Sequence, residues 1–402
     1  MKLFRTIVAY FLALFIVLDY YSVYWMTLHD IYGDRLLFLF KSVILLFVCI
    51  IGRDRYCNGG KINNICKAII ASFVLLLGIP DWTIWFYLFV VILPLFSFYF
   101  ASDNSKDGLN FSFFNIYSNV VITISLISLF FWFVGPISGY MSPNCVLPNS
   151  WGARPFIEGY YNIFYETQNI TVGNTTLCRN TGFMCEAPVF NLNLCVALAF
   201  ELFVCKRVKR IKIAILIIAI LSTLSTTGQL FIMLAFLLKS YQSVNRKRSY
   251  KILFWFLLPI LLYIMYFVSS IIMVDKMDTD SYESRSYVIN KMIGVLENNP
   301  LLGAGINRFH LSSEYGVSNS LFHVMADGGL YLTFFFIYYI VVIPYRYMKK
   351  KGDMGWLFFN LSFLFVFTFT LDYNRLLDMA ILGFSIANAK SYIETNRKSL
   401  LK

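Results

Sequence analysis

The feature that most constrains this chain is a succession of apolar runs, most of them long enough to cross a lipid bilayer as a helix. The hydrocarbon core of a bilayer is about 30 Å thick and requires about 20 helical residues. Hydrophobic residues make up 58% of the 402 residues and charged residues only 14%. Soluble domains carry about 25% charged residues. The excess of apolar side chains therefore predicts an integral membrane protein built from helices.

Twelve apolar runs are predicted to span the membrane. The expected fold class is all-α, with a single polytopic transmembrane domain over residues 1–402. The runs cover 5–25, 35–52, 66–80, 83–101, 115–136, 186–205, 210–225, 227–243, 251–273, 325–346, 353–371 and 374–391. Turn-forming sequences divide two closely spaced pairs, at Gly78 to Trp82 and at 222–229. Both members of the second pair are short for a span.

The basic residues predict the orientation. With the N-terminus in the cytoplasm, inner segments carry 25 of the 34 Lys and Arg residues, outer segments carry 8, and Lys41 lies within a span. Lys and Arg are enriched in cytoplasmic loops of membrane proteins. We therefore expect both termini in the cytoplasm. Membrane orientation also explains the net charge of +12 without nucleic acid as a partner.

Two outer segments, 137–185 and 274–324, are each about fifty residues long. Loops longer than about 12–15 residues are usually functional or disordered. These two are rich in aromatic residues, Gly and Pro, which is not the composition of a disordered segment. We expect both to be packed, with short helices lying over the outer membrane face, and to carry the function.

Four of the eight outer basic residues are arginines in these loops, namely Arg154, Arg179, Arg285 and Arg308. Arg is always charged, and its planar fork of donors suits phosphate. The alternative for each one is a structural ion pair with a nearby acid such as Glu158, Glu186 or Glu283. We expect at least one of the four to bind an anionic ligand.

The second loop is the more informative of the two. Ser284 is expected to start a helix that Asn298-Asn299-Pro300 ends, so that Arg285 lies in its first turn. The tight segment Gly303-Ala304-Gly305 and then Arg308 follow. Residues 317–330, VSNSLFHVMADGGL, lead into the tenth run.

Other polar residues have competing interpretations. The candidates for a catalytic base are His310, His323, Glu186 and Asp327, and the alternative for each His is a structural interfacial residue. Asp278-Thr279-Asp280 is interpreted as a solvated acidic stretch, and no metal site is expected. Asp19 and Lys41, both inside spans, are expected to pair with each other. The outer cysteines either form one disulfide with one thiol left over or are all free; they are Cys145, Cys178 and Cys185.

These residues resemble a known superfamily. An Arg and a short helix are followed by the run NPLLGAG at 299–305 and then by an Asn-containing segment that ends in an acidic residue and Gly-Leu. This order resembles the C-terminal signature of O-antigen ligases and O-antigen polymerases. Arg179 to Gly182 followed by Glu186-Ala187-Pro188 resembles the sequence that precedes a span in many polysaccharide polymerases. STTG at 225–228 resembles a break between two helices in the same proteins. Ligases carry His-Asn where this chain has Ser318-Asn319, and Arg where it has Gln229, which favours the polymerase.

The resemblance implies a membrane-embedded, GT-C-like glycosyltransferase of the bacterial inner membrane. It implies inverting, metal-independent transfer of O-antigen or capsule repeat units from undecaprenyl diphosphate, without a cofactor. We expect Arg285, His323 and Glu186 to be the catalytic residues of such an enzyme. The residues expected to bind its substrate are Arg179, Arg308, Arg154, Asn319, Gly303 and Gly305. The partners implied are the lipid-linked oligosaccharide, membrane lipid and a chain-length regulator protein. The alternatives are an O-antigen ligase and, in another class, a flippase for lipid-linked oligosaccharide.

Overall fold

The computed structural model describes residues 2–19, 21–33, 41, 43–44, 92–103, 109–149, 151, 155–172, 175–207, 209–244, 280–305, 320–370 and 375–400. These residues are mostly helical, with two small sheets between residues 145 and 178. The expected all-α class is therefore correct for the bulk of this part of the chain and wrong for the first long loop. The predicted runs 66–80 and 251–273, and most of 35–52, lie outside the described residues.

The helices follow the predicted order. In chain order they are α1 (Lys2–Leu18), α2 (Leu93–Asp103), α3 (Ser112–Trp132), α4 (Ala187–Ala199), α5 (Arg210–Ser222), α6 (Thr226–Val244), α7 (Asp280–Asn298), α8 (Ser320–Ile337), α9 (Ile343–Lys351), α10 (Gly355–Thr368) and α11 (Leu376–Leu400). Short π-helical segments extend α3 and α4 and join α8 to α9, at Phe133–Ile137, Phe200–Val204 and Tyr338–Val342. Residues 23–33 are also helical.

Three of these helical stretches are long and apolar enough to cross a membrane, namely Ser112–Ile137, Ala187–Val204 and Ser320–Lys351. Three further apolar helices are shorter, at Thr6–Leu18, Gly355–Thr368 and Leu376–Ala389. All six fall on predicted runs. The predicted break between the seventh and eighth runs is confirmed, because α5 ends at Ser222, α6 begins at Thr226 and Leu224 between them has a φ of 49°.

Aromatic packing and buried amides hold the helices together. Phe384 on α11 meets Phe100 and Phe114, with ring centroids 5.4 and 5.2 Å apart and the rings edge to face, the arrangement that aromatic quadrupoles favour. The amide of Asn360 on α10 donates to the Ile340 carbonyl at 2.9 Å. Between helices in lipid, such packing and hydrogen bonds replace the hydrophobic effect as the main source of attraction.

Hydrogen bonds also group the helix ends into two sets. One set joins the ends that the charge pattern assigns to the outer side, through Asn180 N to Ser222 O, Ser320 N to Thr370 O and Leu376 N to Asp19 Oδ2. The other set joins ends assigned to the inner side, through Lys212 Nζ to Glu201 Oε1 and Lys239 Nζ to Leu202 O. Each of these hydrogen bonds thus joins ends that the charge pattern assigns to the same side.

The first long loop is packed, as expected, but in strands instead of short helices. Its three-stranded antiparallel sheet contains β1 (Cys145–Pro148), β2 (Phe156–Tyr160) and β3 (Phe164–Tyr165), and β4 (Asn169–Val172) pairs with β5 (Thr175–Cys178). Val172 pairs with Thr175, so only Gly173-Asn174 connects β4 to β5. A Gly/Asn pair between β-branched residues is a hairpin signal. The β4–β5 hairpin could therefore have been predicted from the sequence in place of the short helices.

The second loop begins its helix earlier than expected. Helix α7 starts no later than Asp280, four residues before Ser284, and ends at Asn298 as predicted. Asp280 and Glu283 favour this start because negative charge near a helix N-terminus complements the helix dipole. Arg285 therefore lies in the second turn, and the argument that the helix N-terminus assists it in binding an anion no longer applies.

Candidate functional site

The turn that follows α7 is locked to α8 by backbone hydrogen bonds. Four of them join the two segments: Ala304 N to Ala326 O (2.8 Å), Gly305 N to Asp327 O (3.0 Å), Leu330 N to Pro300 O (2.9 Å) and Tyr331 N to Leu301 O (3.2 Å). Each segment, 300–305 and 326–331, therefore donates two backbone hydrogen bonds to the other. The NPLLGAG turn at the end of α7 is therefore in direct contact with the acidic residue and Gly-Leu that complete the resembling sequence.

Glycines make this contact sterically feasible. Gly303 and Gly329 have φ values of 64° and 57°, in the left-handed region that favours glycine. A Cβ on Gly303 would lie 2.4 Å from the Ala326 carbonyl oxygen, and one on Gly329 would lie 2.5 Å from the Leu301 carbonyl. Gly329 also breaks α8, because its ψ of −156° is not helical. The structure thus gives Gly303 a packing role in this turn.

One turn before this break, α8 carries a buried pair of titratable side chains. His323 Nε2 lies 3.3 Å from Asp327 Oδ2, and both side chains are fully buried. Residues four apart share one face of a helix, so the pairing follows from their spacing. A carboxylate beside Nε2 helps to fix the orientation of the imidazole ring. One nitrogen of a neutral imidazole carries a proton, and the other can accept one.

Arg179 and Glu186 belong to a different group, where the first loop meets α4, α5 and α6. Arg179 Nε donates to the Thr223 carbonyl at 2.9 Å, and its Nη1 lies 3.4 Å from Gln168 Oε1. Gln168 Oε1 also accepts from the Ala187 amide at 3.0 Å. Arg179 therefore donates to a backbone carbonyl and lies within reach of a side-chain amide. Glu186 is half-buried at the N-cap of α4 and does not cap it through its side chain.

Asn180, beside Arg179, is a structural residue that sequence reasoning missed. It is fully buried, and its Nδ2 donates to Ser222 Oγ at 2.9 Å and approaches Ser128 Oγ at 3.3 Å. Its Oδ1 accepts from the Gly182 amide at 3.0 Å. One side chain therefore connects α3, α5 and the sequence leading into α4. Only its place beside Arg179 in a motif could have suggested this role.

A third group consists of charged side chains buried where α1 meets α11. Lys41 Nζ and Asp19 Oδ1 form the expected ion pair, and Lys41 Nζ lies 4.3 Å from the Trp25 ring centroid. Asp19 Oδ2 also accepts from the Leu376 amide at 3.1 Å. Arg375, which precedes α11, is buried with its guanidinium 5.9 Å from the Tyr21 ring. Sequence reasoning counted Arg375 only as an outer basic residue.

The structure thus places the predicted site residues in separate groups. His323, Asp327, Gly303 and Gly305 lie where α8 contacts the second loop, whereas Arg179 and Glu186 lie in the first loop; α10 packs against both α4 and α8. The candidates outside the described residues are Arg154, Arg308, His310, Asn319 and the side chain of Arg285. No protein-family model, curated protein or solved structure matches the chain.

The outer cysteines form no disulfide with one another. They are Cys145, Cys178 and Cys185, so the disulfide alternative is wrong for these residues. Burial raises the pKa of the Cys185 thiol, which keeps this side chain protonated and unreactive near neutral pH. Within the described residues, no group of three or more His, Cys, Asp or Glu side chains is placed to hold a metal ion.

Proposed function

We propose that this chain is a membrane-embedded glycosyltransferase that polymerises O-antigen or capsule repeat units carried on undecaprenyl diphosphate. The observation that carries the proposal is the backbone contact between residues 300–305 and 326–331. The resemblance to polymerases comes from two separate stretches of sequence. These stretches contact each other directly beside a buried His–Asp pair, which supports the proposal that they belong to one site. Membrane lipid and a chain-length regulator are the further partners of this proposal.

In the proposed reaction, His323 acts as the general base. Asp327 holds the proton on Nε2, and Nδ1 takes the proton of the attacking sugar hydroxyl. The hydroxyl oxygen forms a bond to the anomeric carbon as the bond from that carbon to the diphosphate breaks, which inverts the configuration. Both side chains are buried, so the reaction requires α8 or its neighbours to move when the sugar binds.

The leaving diphosphate gains negative charge, which a guanidinium would stabilise. Arg285 is the candidate that lies on a helix in contact with α8, because it is part of α7 and α7 packs against α8 through Met292 and Ala326. The Nε and Nη1 atoms of Arg179 already contact protein acceptors, which makes it less suited to the role. Arg154 and Arg308 remain candidates for binding the same group.

The proposal includes twelve spans, a GT-C-like arrangement and both termini in the cytoplasm of a bacterial inner membrane. Support comes from the distribution of 25 inner and 8 outer basic residues and from the two sets of joined helix ends. The proposed reaction would then occur at the outer face, where the two long loops lie.

A flippase for lipid-linked oligosaccharide is the second candidate, and one observation favours it. Helix α8 is discontinuous at Gly329, and discontinuous helices are typical of transporter substrate sites. Transporters of that kind are often built from repeated halves, and the sequence shows no such repeat. We therefore place the flippase second.

Deleting the gene in its bacterium distinguishes a polymerase from a ligase and a flippase, because each loss causes a different sugar intermediate to accumulate. Loss of a polymerase leaves single repeat units on the mature acceptor. Loss of a ligase leaves polymer on the lipid carrier, and loss of a flippase leaves untransported units on the inner face. We expect the first pattern, with normal polymer restored by the wild-type chain. Either of the other patterns would overturn the proposal.

A further inference from the structure

Large apolar side chains are exposed on and beside the turn after α7. Leu301 and Leu302 at its tip are 68% and 60% exposed. On α8, Leu330, Tyr331 and Phe334 are exposed as well. The Leu301 carbonyl accepts the Tyr331 amide, so the tip and this part of α8 form one apolar surface, called here the turn surface.

The position of the turn surface across the membrane follows from α8 and α9. The stretch Ser320–Lys351 ends in a basic cluster of Arg346 and Lys349–Lys351, and such clusters mark a membrane surface. Sixteen residues separate Leu330 from Arg346, which is about 24 Å at about 1.5 Å per residue. Because the hydrocarbon core is about 30 Å thick, Leu330 lies about 6 Å inside its far boundary. A tilt of about 20° places it slightly deeper.

Irregular backbone is tolerated at that depth only where its polar groups are paired within the protein or face a water-filled cavity. Three amides of the turn meet this requirement, those of Gly303, Ala304 and Gly305. Gly303 N donates to Asn299 O at 2.9 Å, and Ala304 N and Gly305 N donate to carbonyls of α8. In return, the carbonyls of Pro300 and Leu301 accept the two amides that follow the break at Gly329.

We infer that the turn 299–305 is inserted into the hydrocarbon edge of the leaflet opposite the Arg346–Lys351 cluster, with Leu301 and Leu302 in contact with lipid acyl chains. Lipid is favoured over a protein partner because the turn surface continues onto Phe334, which is 67% exposed on a helix apolar enough to span the membrane. The inserted turn anchors α7 at the membrane surface. This inference does not depend on the proposed polymerase activity.

Cysteine reactivity in open membrane fragments, where reagents reach both faces, tests the insertion. The variants are Leu302→Cys and, as a matched control, Val146→Cys, since Val146 is 60% exposed on β1. Labelled sites are identified by peptide mass spectrometry, so that the eight native cysteines stay in place. Each variant is treated with a charged, water-soluble maleimide and with a lipid-soluble maleimide, and denatured protein gives the full reactivity.

The charged reagent is expected to label Leu302→Cys at least about ten-fold more slowly than Val146→Cys, because a charged group is costly to transfer into hydrocarbon and because each unit by which apolar surroundings raise a thiol pKa lowers its thiolate fraction about ten-fold. The lipid-soluble reagent partitions to the site and is expected to reduce this difference. Equal rates with the charged reagent would place the turn in water. Slow reaction with both reagents would mean that protein covers it. Either result overturns the inference.

Discussion

At the scale of single residues, the proposed chemistry depends on one imidazole. His323 and Asp327 are fully buried and face each other on α8, next to a backbone break that only glycine accommodates without strain. Their pairing was predictable from the i, i+4 spacing, although each alone was only one of several candidates for a catalytic base. Their burial was not predictable, because it depends on which helices surround α8.

Replacing His323 with Gln is expected to lower the polymerisation rate about 10²–10⁴-fold, the usual contribution of a general base. Asp327→Asn is expected to lower it less, because the ring remains but its orientation and charge stabilisation are weakened. The measurement is the rate of repeat-unit consumption by membranes containing equal amounts of each variant. His29→Gln is the control, since His29 is 37% exposed. Activity of His323→Gln equal to that of the control would remove His323 from the mechanism.

Replacing Gly303 or Gly329 with Ala is expected to destabilise the docked turn. The cost combines about 1–2 kcal/mol for the left-handed backbone with about 1–3 kcal/mol for overpacking. Hydrogen exchange of the Ala304 and Gly305 amides measures the effect directly. Gly294→Ala on α7 is the control, because a Cβ there meets nothing within 4 Å, and it is expected to stabilise by about 0.5–1 kcal/mol. Unchanged exchange in both turn variants would contradict the steric account.

At the scale of elements, the buried pair of Lys41 and Asp19 ties α1 to the start of α11, because Asp19 also accepts the Leu376 amide. The pairing was predictable, since two opposite charges within spans need partners. The contact with Leu376 was not, because 357 residues separate the two partners. The strands of the first loop were partly predictable, from Gly173-Asn174, whereas the start of α7 was ambiguous among several Asp and Ser residues between 278 and 286.

Lys41→Met leaves Asp19 as an uncompensated buried charge and is expected to destabilise the folded state by about 3–5 kcal/mol. The double variant Asp19→Asn/Lys41→Met removes both charges and keeps a side-chain oxygen for the Leu376 amide. We expect it to recover most of the loss. Thermal unfolding in detergent compares the two variants with the wild type. A double variant no more stable than Lys41→Met would show that the ion pair itself is required.

At the scale of the whole molecule, orientation is the property on which function depends. The alternation of basic residues was readable from the sequence, and the grouping of helix ends in the structure follows the same alternation. The sequence did not predict which of the candidate residues would share a site. That depends on long-range contacts, and the first loop and the second loop approach different helices.

Orientation is tested by cysteines at exposed positions of opposite sides. Tyr140→Cys, at a position 89% exposed in the first loop, is expected to react with an impermeant maleimide in intact cells from which any outer membrane has been removed. Lys349→Cys, in the last turn of α9, is expected to react only after the membrane is opened. The reverse pattern would invert the proposed topology and move both long loops to the cytoplasm.

The most direct test of the central claim is polymerisation by the purified chain. Reconstituted in vesicles with undecaprenyl-diphosphate-linked repeat units as the sole substrate, the wild-type protein is expected to produce a ladder of lengthening oligosaccharides and to release undecaprenyl diphosphate. The same vesicles carrying His323→Gln are expected to leave single repeat units. Repeat units that remain single with folded wild-type protein, whether or not they cross the membrane, would contradict the account.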